Sequence, residues 1–267
     1  MIELNWSDHV RHAMRAALVC GVMVMAVGCE TVSKTPPGEP SNPFQSSRAQ
    51  KTLNEAAREA EAANKYEMAA GIYGRLVEGR PNDPVILSAF VRNMRYSGRS
   101  REIVDYVQTK AAHLLGQPQV KFEYGKALLA AGRKTAALGV LNESRAQMPD
   151  NWRVYSAIGI ADDALGRFEE AIAAYTMALK LSPDNVVVMN NMAMSQAMSG
   201  KLADAIRTLE RAAGINRNNA HVRQNLALLY AINGDVERAR ALASMDLDMS
   251  DVETNLSFYR RFEGHSQ

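Results

Sequence analysis

The sequence predicts an all-α protein, a right-handed superhelical solenoid of six helix pairs closed by a C-terminal capping helix. Three observations support this fold class. Glycine recurs every 34 residues without insertion or deletion, at Gly98, Gly132, Gly166, Gly200 and Gly234. A small residue follows most of these glycines at a fixed distance, and prolines fall between the predicted helix pairs. Units of one length stack on their neighbours, and such arrays typically offer a surface that holds other proteins.

An apolar run from Ala16 to Val27 follows Arg11 and Arg15, which is typical of a secretory signal peptide. The run is shorter than the roughly 20 residues that a membrane-spanning helix needs. It also lacks an amphipathic period, which disfavours a buried core helix. We therefore predict a signal peptide over residues 1–28, with Met1 and Met14 both open as the start.

The signal ends in Gly28 and Cys29, and residues 26–29 resemble the lipobox of bacterial lipoproteins. The resemblance implies that the Cys29 thiol carries covalent lipid and that Cys29 becomes the mature N-terminus. Cys20 lies in the removed segment, so the mature chain can form no internal disulfide. Glu30 stands where enteric inner-membrane lipoproteins have Asp, which favours the periplasmic side of the outer membrane. An ordinary secreted protein with a stray cysteine is the alternative.

Residues 29–49 are predicted to be the lipidated N-terminus followed by a linker. The segment contains four prolines and several serines, and it shows no apolar period. Such a chain reaches roughly 60 Å when extended. It would let the folded part sit off the membrane.

Residues 50–250 divide into six units, which start at Gln50, Pro84, Pro118, Trp152, Val186 and Ala220. The recurring glycine is fifteenth in each unit except the first, where Asn64 replaces it. Glycine and asparagine best adopt the left-handed conformation that ends a helix, so each unit should break there. Units two and six are weaker, because Lys110 and Asp246 occupy a place that holds a small residue in units three to five, at Ser144, Ala178 and Ala212. Whether these two units fold without a partner is left open.

Residues 251–267 are predicted to form a capping helix and a tail. Ser250 followed by Glu253 matches a capping box, which marks a helix N-terminus. Apolar residues then fall on or beside one face of the helix, at Val252, Leu256, Phe258, Tyr259 and Phe262. A terminal helix of this kind would cover the apolar face of the last unit.

The first helix of each unit should line the concave side of the solenoid, with the ninth residue of the unit facing a groove. These ninth residues are basic in the first half and apolar in the second: Arg58, Arg92 and Lys126, then Ile160, Met194 and Leu228. Arg95 extends the basic group, and Met198 and Ile232 extend the apolar group. We predict a peptide-binding groove that changes from basic to apolar. The alternative is a solvated basic face beside ordinary core residues.

Asn191 and Asn225 occupy the same place in successive units. Their amides could hold the backbone of an extended peptide through paired donors and acceptors.

The sequence offers no set of residues suited to catalysis or to metal binding. His113 and His221 stand alone, and Asp162 and Asp163 are adjacent, so they lie on different faces of a helix. The stretch after Asp246 lacks the glycine and the bidentate glutamate of a calcium loop. The net charge of +2 gives no basic excess for nucleic acid. We predict no enzyme, no metal, no cofactor besides the lipid and no small-molecule substrate.

The fourth unit matches a known repeat at most of its characteristic places: Tyr155, Ile158, Gly159, Gly166, Phe168, Ala171, Tyr175, Ala178 and Pro183. In these residues, and in the 34-residue period, the chain resembles the tetratricopeptide repeat family. The resemblance covers residues 50 to about 250. It implies helix pairs and binding to protein partners.

A second resemblance lies in the closing stretch, at Val222 to Ala227, Gly234, Asp246, Leu247, Asn255, Leu256, Tyr259 and Arg260. This pattern looks like the C-terminal part of the TadD family, the tetratricopeptide lipoproteins of the tight-adherence, or Flp, pilus system. The resemblance implies an outer-membrane lipoprotein that works in pilus assembly, with the pilus secretin or other assembly components as partners. A type IVa pilus pilotin and a β-barrel assembly accessory lipoprotein share the same plan and stay as alternatives.

Overall fold

The computed structural model describes residues 47–263, with side chains from residue 48 to residue 257. Within this range the chain forms helices and no strand. The predicted signal peptide, Cys29 and nearly all of the linker lie outside the described residues. The side chains of Phe258, Tyr259 and Phe262 lie outside them as well.

The described part of the chain contains thirteen α-helices in series. They are α1 (Ser47–Ala62), α2 (Tyr66–Gly79), α3 (Pro84–Tyr96), α4 (Ser100–Lys110), α5 (Pro118–Ala130), α6 (Lys134–Gln147), α7 (Trp152–Ala164), α8 (Phe168–Leu181), α9 (Val186–Met198), α10 (Leu202–Ile215), α11 (Ala220–Ile232), α12 (Val236–Ala243) and α13 (Met249–Glu263). Five of the six predicted unit starts coincide with the first residue of an odd-numbered helix, and α1 begins three residues before Gln50.

The break inside each pair falls at the predicted residue. The recurring glycines have φ between 74° and 82°, and Asn64 has φ of 56°. At the second break, Gly98 N–H donates to the Arg95 carbonyl and Arg99 N–H donates to the Met94 carbonyl. These bonds satisfy carbonyls that the end of α3 would otherwise leave unpaired.

The residue that precedes most odd helices supplies a cap. Side-chain oxygens of Asp83, Asn151, Asn185 and Asn219 accept backbone N–H groups in the first turns of α3, α7, α9 and α11. Replacing such a cap with alanine typically costs about 1 kcal/mol. The helix α5 follows Gln117 instead and begins with Pro118, which needs no N–H partner at that position.

The helices form two connected layers. From α2 to α10, each even helix packs against the odd helix before it and the odd helix after it, and α12 packs against α11. The odd helices α3, α5, α7, α9 and α11 also contact one another in series. Small residues at the helix crossings are completely buried, at Ala69, Ala137, Ala171, Ala205 and Ala239. The predicted all-α solenoid of helix pairs is confirmed.

The two weaker units have short second helices. In unit two, α4 ends at Lys110 and a 3₁₀ helix follows at Ala112–Leu114. In unit six, α12 has only eight residues, and Asp246 lies in the turn that follows it. Both helices end at or before the place held by Lys110 and Asp246, which is buried in the neighbouring units.

The last helix closes the stack against α11 and α12, and its Val252 and Leu256 are buried as predicted. The predicted capping box is wrong. The first helical bond of α13 runs from Val252 N–H to the Asp248 carbonyl, so Ser250 lies inside the helix. Glu253 instead accepts a hydrogen bond from Arg240 Nε at 2.8 Å, which ties α13 to α12. None of the helices within residues 47–263 is both long enough and apolar enough to cross a membrane.

Candidate peptide-binding groove

The odd helices present one face to their even partners and another away from them. The eighth residue of a unit faces its partner helix, since a Cβ at Gly159 would lie 2.6 Å from Tyr175 Cε1. The ninth residue lies about 100° further round the helix. Ninth residues from Arg92 to Leu228 are half-buried, and Arg58 is exposed. They form a row along the layer of odd helices.

The basic end of this row is bonded to carboxylates of the chain itself. Arg92 Nε donates to Glu61 Oε1 at 2.6 Å, which joins α3 to α1. Asn93 Nδ2 lies 3.3 Å from the same oxygen, and the Tyr73 hydroxyl lies 3.5 Å from Glu61 Oε2. The guanidinium of Arg92 is therefore partly neutralised before any partner arrives.

A second buried cluster surrounds Glu123 on α5. Lys126 Nζ donates to Glu123 Oε1 at 2.7 Å, and Arg95 Nη2 lies 3.6 Å from Glu123 Oε2. Burial lowers the pKa of Lys126, and the Glu123 carboxylate opposes that shift. Arg95 is only 6% exposed, so it offers no free surface charge to a ligand. Glu123 Oε2 and Arg95 Nε have no hydrogen-bond partner among the described residues.

The charge of the predicted basic half is lower than its cations alone suggest. Arg58, Arg92, Arg95 and Lys126 stand against two carboxylates, Glu61 and Glu123, which leaves two positive charges among these six residues. The sequence carried one signal of this pairing, because Glu123 precedes Lys126 by three residues, a spacing that brings side chains together on a helix. The pairing of Glu61 with Arg92 spans 31 residues and left no local signal.

The second half of the row is apolar. Ile160, Met194 and Leu228 are half-buried, while Met198 is 49% exposed and Ile232 is 42% exposed. Met198 and Ile232 are thirteenth in successive units and lie on α9 and α11, which contact each other. Exposed large apolar side chains at equivalent places on adjacent helices form a surface that a partner could cover.

The two asparagines occupy different environments. Asn191 is 5% exposed, and its Nδ2 has no hydrogen-bond partner among the described residues. Asn225 Nδ2 donates to Asn190 Oδ1 at 2.8 Å, which joins α11 to α9. The predicted ladder of equivalent amides is therefore uneven, because the amide of Asn225 is already engaged within the protein.

The sequence reasoning missed a polar cluster in the apolar half, between α7 and α9. Asp163 Oδ2 accepts from the Tyr175 hydroxyl at 2.7 Å, and Asp163 Oδ1 accepts from Ser195 Oγ at 2.6 Å. These bonds connect α7, α8 and α9. Burial raises the pKa of Asp163, and the hydrogen bonds from Ser195 and Tyr175 oppose the shift. Its partners lie 12 and 32 residues away, so only the repeat alignment could have suggested them.

Comparison with known proteins shows what the units are. The family model for the tetratricopeptide repeat matches residues 122–186 and 190–251. These matched segments, which together span slightly less than half of the 267 residues, are similar to tetratricopeptide repeats. The matched residues run from α5 into α13, and the preceding helices α1–α4 continue the same pairing. No curated protein matches the chain.

Solved structures agree with these repeats at the level of the fold. A tetratricopeptide repeat protein from Parabacteroides merdae superposes with a TM-score of 0.62 at 15% identity, over 83% of this chain and 87% of that one. MamA residues 41 to the end, from Desulfovibrio magneticus RS-1, superpose with a TM-score of 0.54 at 18% identity, over 64% of this chain and 96% of that one.

The repeats offer surfaces of the kind that bind other proteins. Within residues 47–263 no group of three or more His, Cys, Asp or Glu residues is placed to hold a metal ion. Asp162 and Asp163 both have raised pKa values because burial disfavours their charged forms. Both carboxylate oxygens of Asp163 accept hydrogen bonds, one from Tyr175 and one from Ser195. Tetratricopeptide repeats typically serve as interaction scaffolds, and the chain has the architecture of one.

Proposed function

We propose that this chain is a lipid-anchored outer-membrane protein that faces the periplasm and serves as an interaction scaffold in assembly of a tight-adherence, or Flp, pilus. The observation that carries the scaffold role is the pair of exposed apolar side chains on α9 and α11, Met198 and Ile232, which adjoin the half-buried row of ninth residues. The pilus assignment rests on the resemblance of the closing stretch to the TadD family. The pilus secretin or another assembly component is the proposed partner.

The groove supports a partner segment of mixed character. Its first half offers Arg58 as an exposed cation, and its second half offers exposed methionine and isoleucine. An extended segment with a carboxylate near one end and aliphatic residues near the other would complement both halves. Binding would bury the apolar side chains, at a gain of about 25 cal/mol per Å² removed from water.

The groove is tested by replacing Met198 and Ile232 together with Asp in the full-length chain. We expect less secretin to be recovered with the protein from outer membranes and fewer secretin multimers. Met68→Asp is the matched control, because Met68 is 57% exposed on the even helix α2. Unchanged secretin recovery with the double variant would refute the groove. If loss of the whole gene spares the secretin multimers and lowers outer-membrane β-barrel proteins, the alternative role in barrel assembly is supported.

The anchor is tested separately by Cys29→Ser. We expect this variant to lose labelled palmitate and to leave the membrane fraction, whereas Cys20→Ser should keep both properties. Retention of Cys29→Ser in membranes would refute the lipid anchor and leave the groove proposal standing. A neighbourhood of secretin, secretion ATPase and small prepilin genes would separately favour the tight-adherence system over the type IVa pilotin.

A further inference from the structure

A pocket of about 230 Å³ opens between the even helices α8 and α10. Its floor is the odd helix α9, through Met189 and Met192, and Leu179 lines it from α8. Pockets that enclose a whole small molecule are usually about 300–1,000 Å³. This outer pocket is therefore the right size for one or two side chains of a partner.

The outer pocket lies on the opposite side of α9 from the candidate groove. Residues advance by about 100° each around a helix, so Met192 and Met194 point in nearly opposite directions. Met189, Met192 and Gln196 share the pocket side of α9, and Met194 and Met198 share the groove side. A ligand in the pocket would therefore not compete directly with a ligand in the groove.

Two arginines stand at the rim of the pocket, both on α10. Arg207 is 69% exposed and pairs with Asp204 one turn earlier on the same helix. Arg211 is 59% exposed, and its Nη2 contacts the Pro183 carbonyl at 3.1 Å and Asp184 Oδ1 at 3.4 Å. Exposed pairs of this kind contribute little to stability, and a guanidinium has five N–H donors. Asp204 and Asp184 balance the two positive charges, but each guanidinium keeps N–H donors that can bind a further carboxylate.

Thr208 and Gln196 are the other polar residues of the rim. Thr208 Oγ1 donates to Gln196 Oε1 at 2.9 Å, and Gln196 Nε2 adds two neutral N–H donors. The charged donors at the rim belong to Arg207 and Arg211, while the floor is apolar. This combination favours an aliphatic group that carries a negative charge beside it.

The outer pocket is particular to the fifth unit of this chain. Arg207 and Arg211 are the twenty-second and twenty-sixth residues of their unit, and no other unit of the sequence has cations at both places. In unit six the residue equivalent to Met189 is Arg223, which forms an ion pair with Asp246. In unit four it is Tyr155, and the residue equivalent to Gln196 is the buried Asp162.

Ile215 extends the apolar surface beside the pocket. It is 43% exposed at the last residue of α10, one turn after Arg211 and therefore on the same side of that helix. A peptide seated in the pocket could continue along the end of α10.

We propose that the outer pocket is a second binding site, which takes a partner segment presenting a large aliphatic side chain next to a carboxylate. The aliphatic group sits on Met189, Met192 and Leu179, and the carboxylate pairs with Arg207 and Arg211. This site is independent of the groove and of the pilus assignment.

The test uses the full-length chain with ¹³C-methyl methionine and the probe peptide acetyl-Leu-Glu-amide, followed by NMR. Met189→Leu and Met192→Leu assign the pocket methyl signals. We expect the probe to shift the Met189 and Met192 signals and to leave Met194 and Met198 unchanged. Acetyl-Leu-Gln-amide and acetyl-Ala-Glu-amide, which lack the charge or the large side chain, should bind more weakly.

Two variants complete the test. Arg207→Gln combined with Arg211→Gln should raise the Kd of the probe about two- to thirtyfold, since each exposed pair is weak. Thr208→Trp should fill the pocket and abolish the shifts, with unchanged helicity by circular dichroism as evidence that it folds. The absence of shifts at Met189 and Met192, shifts confined to Met194 and Met198, or equal binding of the Glu and Gln probes would each overturn the proposal.

Discussion

The hydroxyl of Tyr175 lies 2.7 Å from Asp163, and the same two places of the first repeat pair Tyr73 with Glu61 at 3.5 Å. In both repeats the acid also accepts a bond from the tenth residue of the next repeat, which is Ser195 in one case and Asn93 in the other. The same arrangement therefore occurs twice, and we call it the joint. In each case a carboxylate accepts hydrogen bonds from a tyrosine of its own repeat and from a polar residue of the following repeat.

The strength of this joint is tested by Tyr175→Phe. Tyr175 is completely buried, so the change removes a donor from the Asp163 carboxylate without opening the packing. We expect a loss of about 1–3 kcal/mol in the free energy of unfolding, measured by urea denaturation. Tyr155→Phe, on a half-buried ring of the same repeat, should cost much less. Equal losses in the two variants would argue against the joint.

The pH dependence of stability is tested by Asp163→Asn. The folded state raises the pKa of Asp163 above its ordinary value of 3.8, chiefly through burial. For an acid with a raised pKa, the contribution to stability is fully present below the unfolded value and is lost as pH rises through the folded value. We therefore expect wild type to lose stability relative to Asp163→Asn as pH rises from about 4 towards neutrality.

The measurement is the difference in unfolding free energy between the two proteins at several pH values. Asp162 also has a pKa raised by burial, so it is kept unchanged in both proteins. A difference that is independent of pH, or that changes in the opposite direction, would show that Asp163 titrates like an exposed carboxyl.

The fit between α7 and α8 is tested by Gly159→Ala. The added Cβ would lie 2.6 Å from the Tyr175 ring, and the bond to Asp163 holds that ring in place. Overpacking of this kind typically costs about 1–3 kcal/mol. Gly139→Ala is the control, because a Cβ at this α6 position meets nothing within 4 Å. We expect the control to gain about 0.5–1 kcal/mol from better helix propensity.

The attachment of the last helix is tested by Asp246→Ala. Asp246 accepts a bond from Arg223 Nε at 2.9 Å, and both side chains are about one-eighth exposed. Without this pair the turn after α12 loses its fixed position, so amide exchange in α13 should accelerate before exchange in α7 or α8 changes. Asp251→Ala removes the same charge from an exposed position on α13 and should leave the order of exchange unchanged. Uniform acceleration along the whole chain would contradict this prediction.

Repeat periodicity predicted the fold well, because each glycine, alanine and proline acts through local backbone geometry or through one crossing between neighbouring helices. Gly98 and Asn64 have positive φ, and Ala171 is completely buried, as their places in the unit required. The predicted capping box was wrong because the helical bonds of α13 begin at the Asp248 carbonyl, which places Ser250 inside the helix and not at its cap. Glu253 accepts a hydrogen bond from Arg240 on α12 instead.

The groove was only partly accessible to sequence reasoning. The ninth residues do form one row, but Arg92 and Lys126 are engaged by Glu61 and Glu123, and Arg95 is buried. Contacts between side chains of different repeats depend on how the helices pack, and no local sequence pattern shows which side chains will be close. The outer pocket was not predicted for the same reason, since its walls come from α8 and α10 and its floor comes from α9.

The hydrogen bonds between odd helices affect how much conformational entropy the protein would lose on binding a partner. Arg92 to Glu61, Ser195 to Asp163 and Asn225 to Asn190 each fix one repeat against a neighbour in the free protein. The spacing along the row is thereby pre-organised, and little conformational entropy remains for the scaffold to lose on association. Most of the ordering cost would fall on the partner, so affinity should depend on how rigid the partner segment already is.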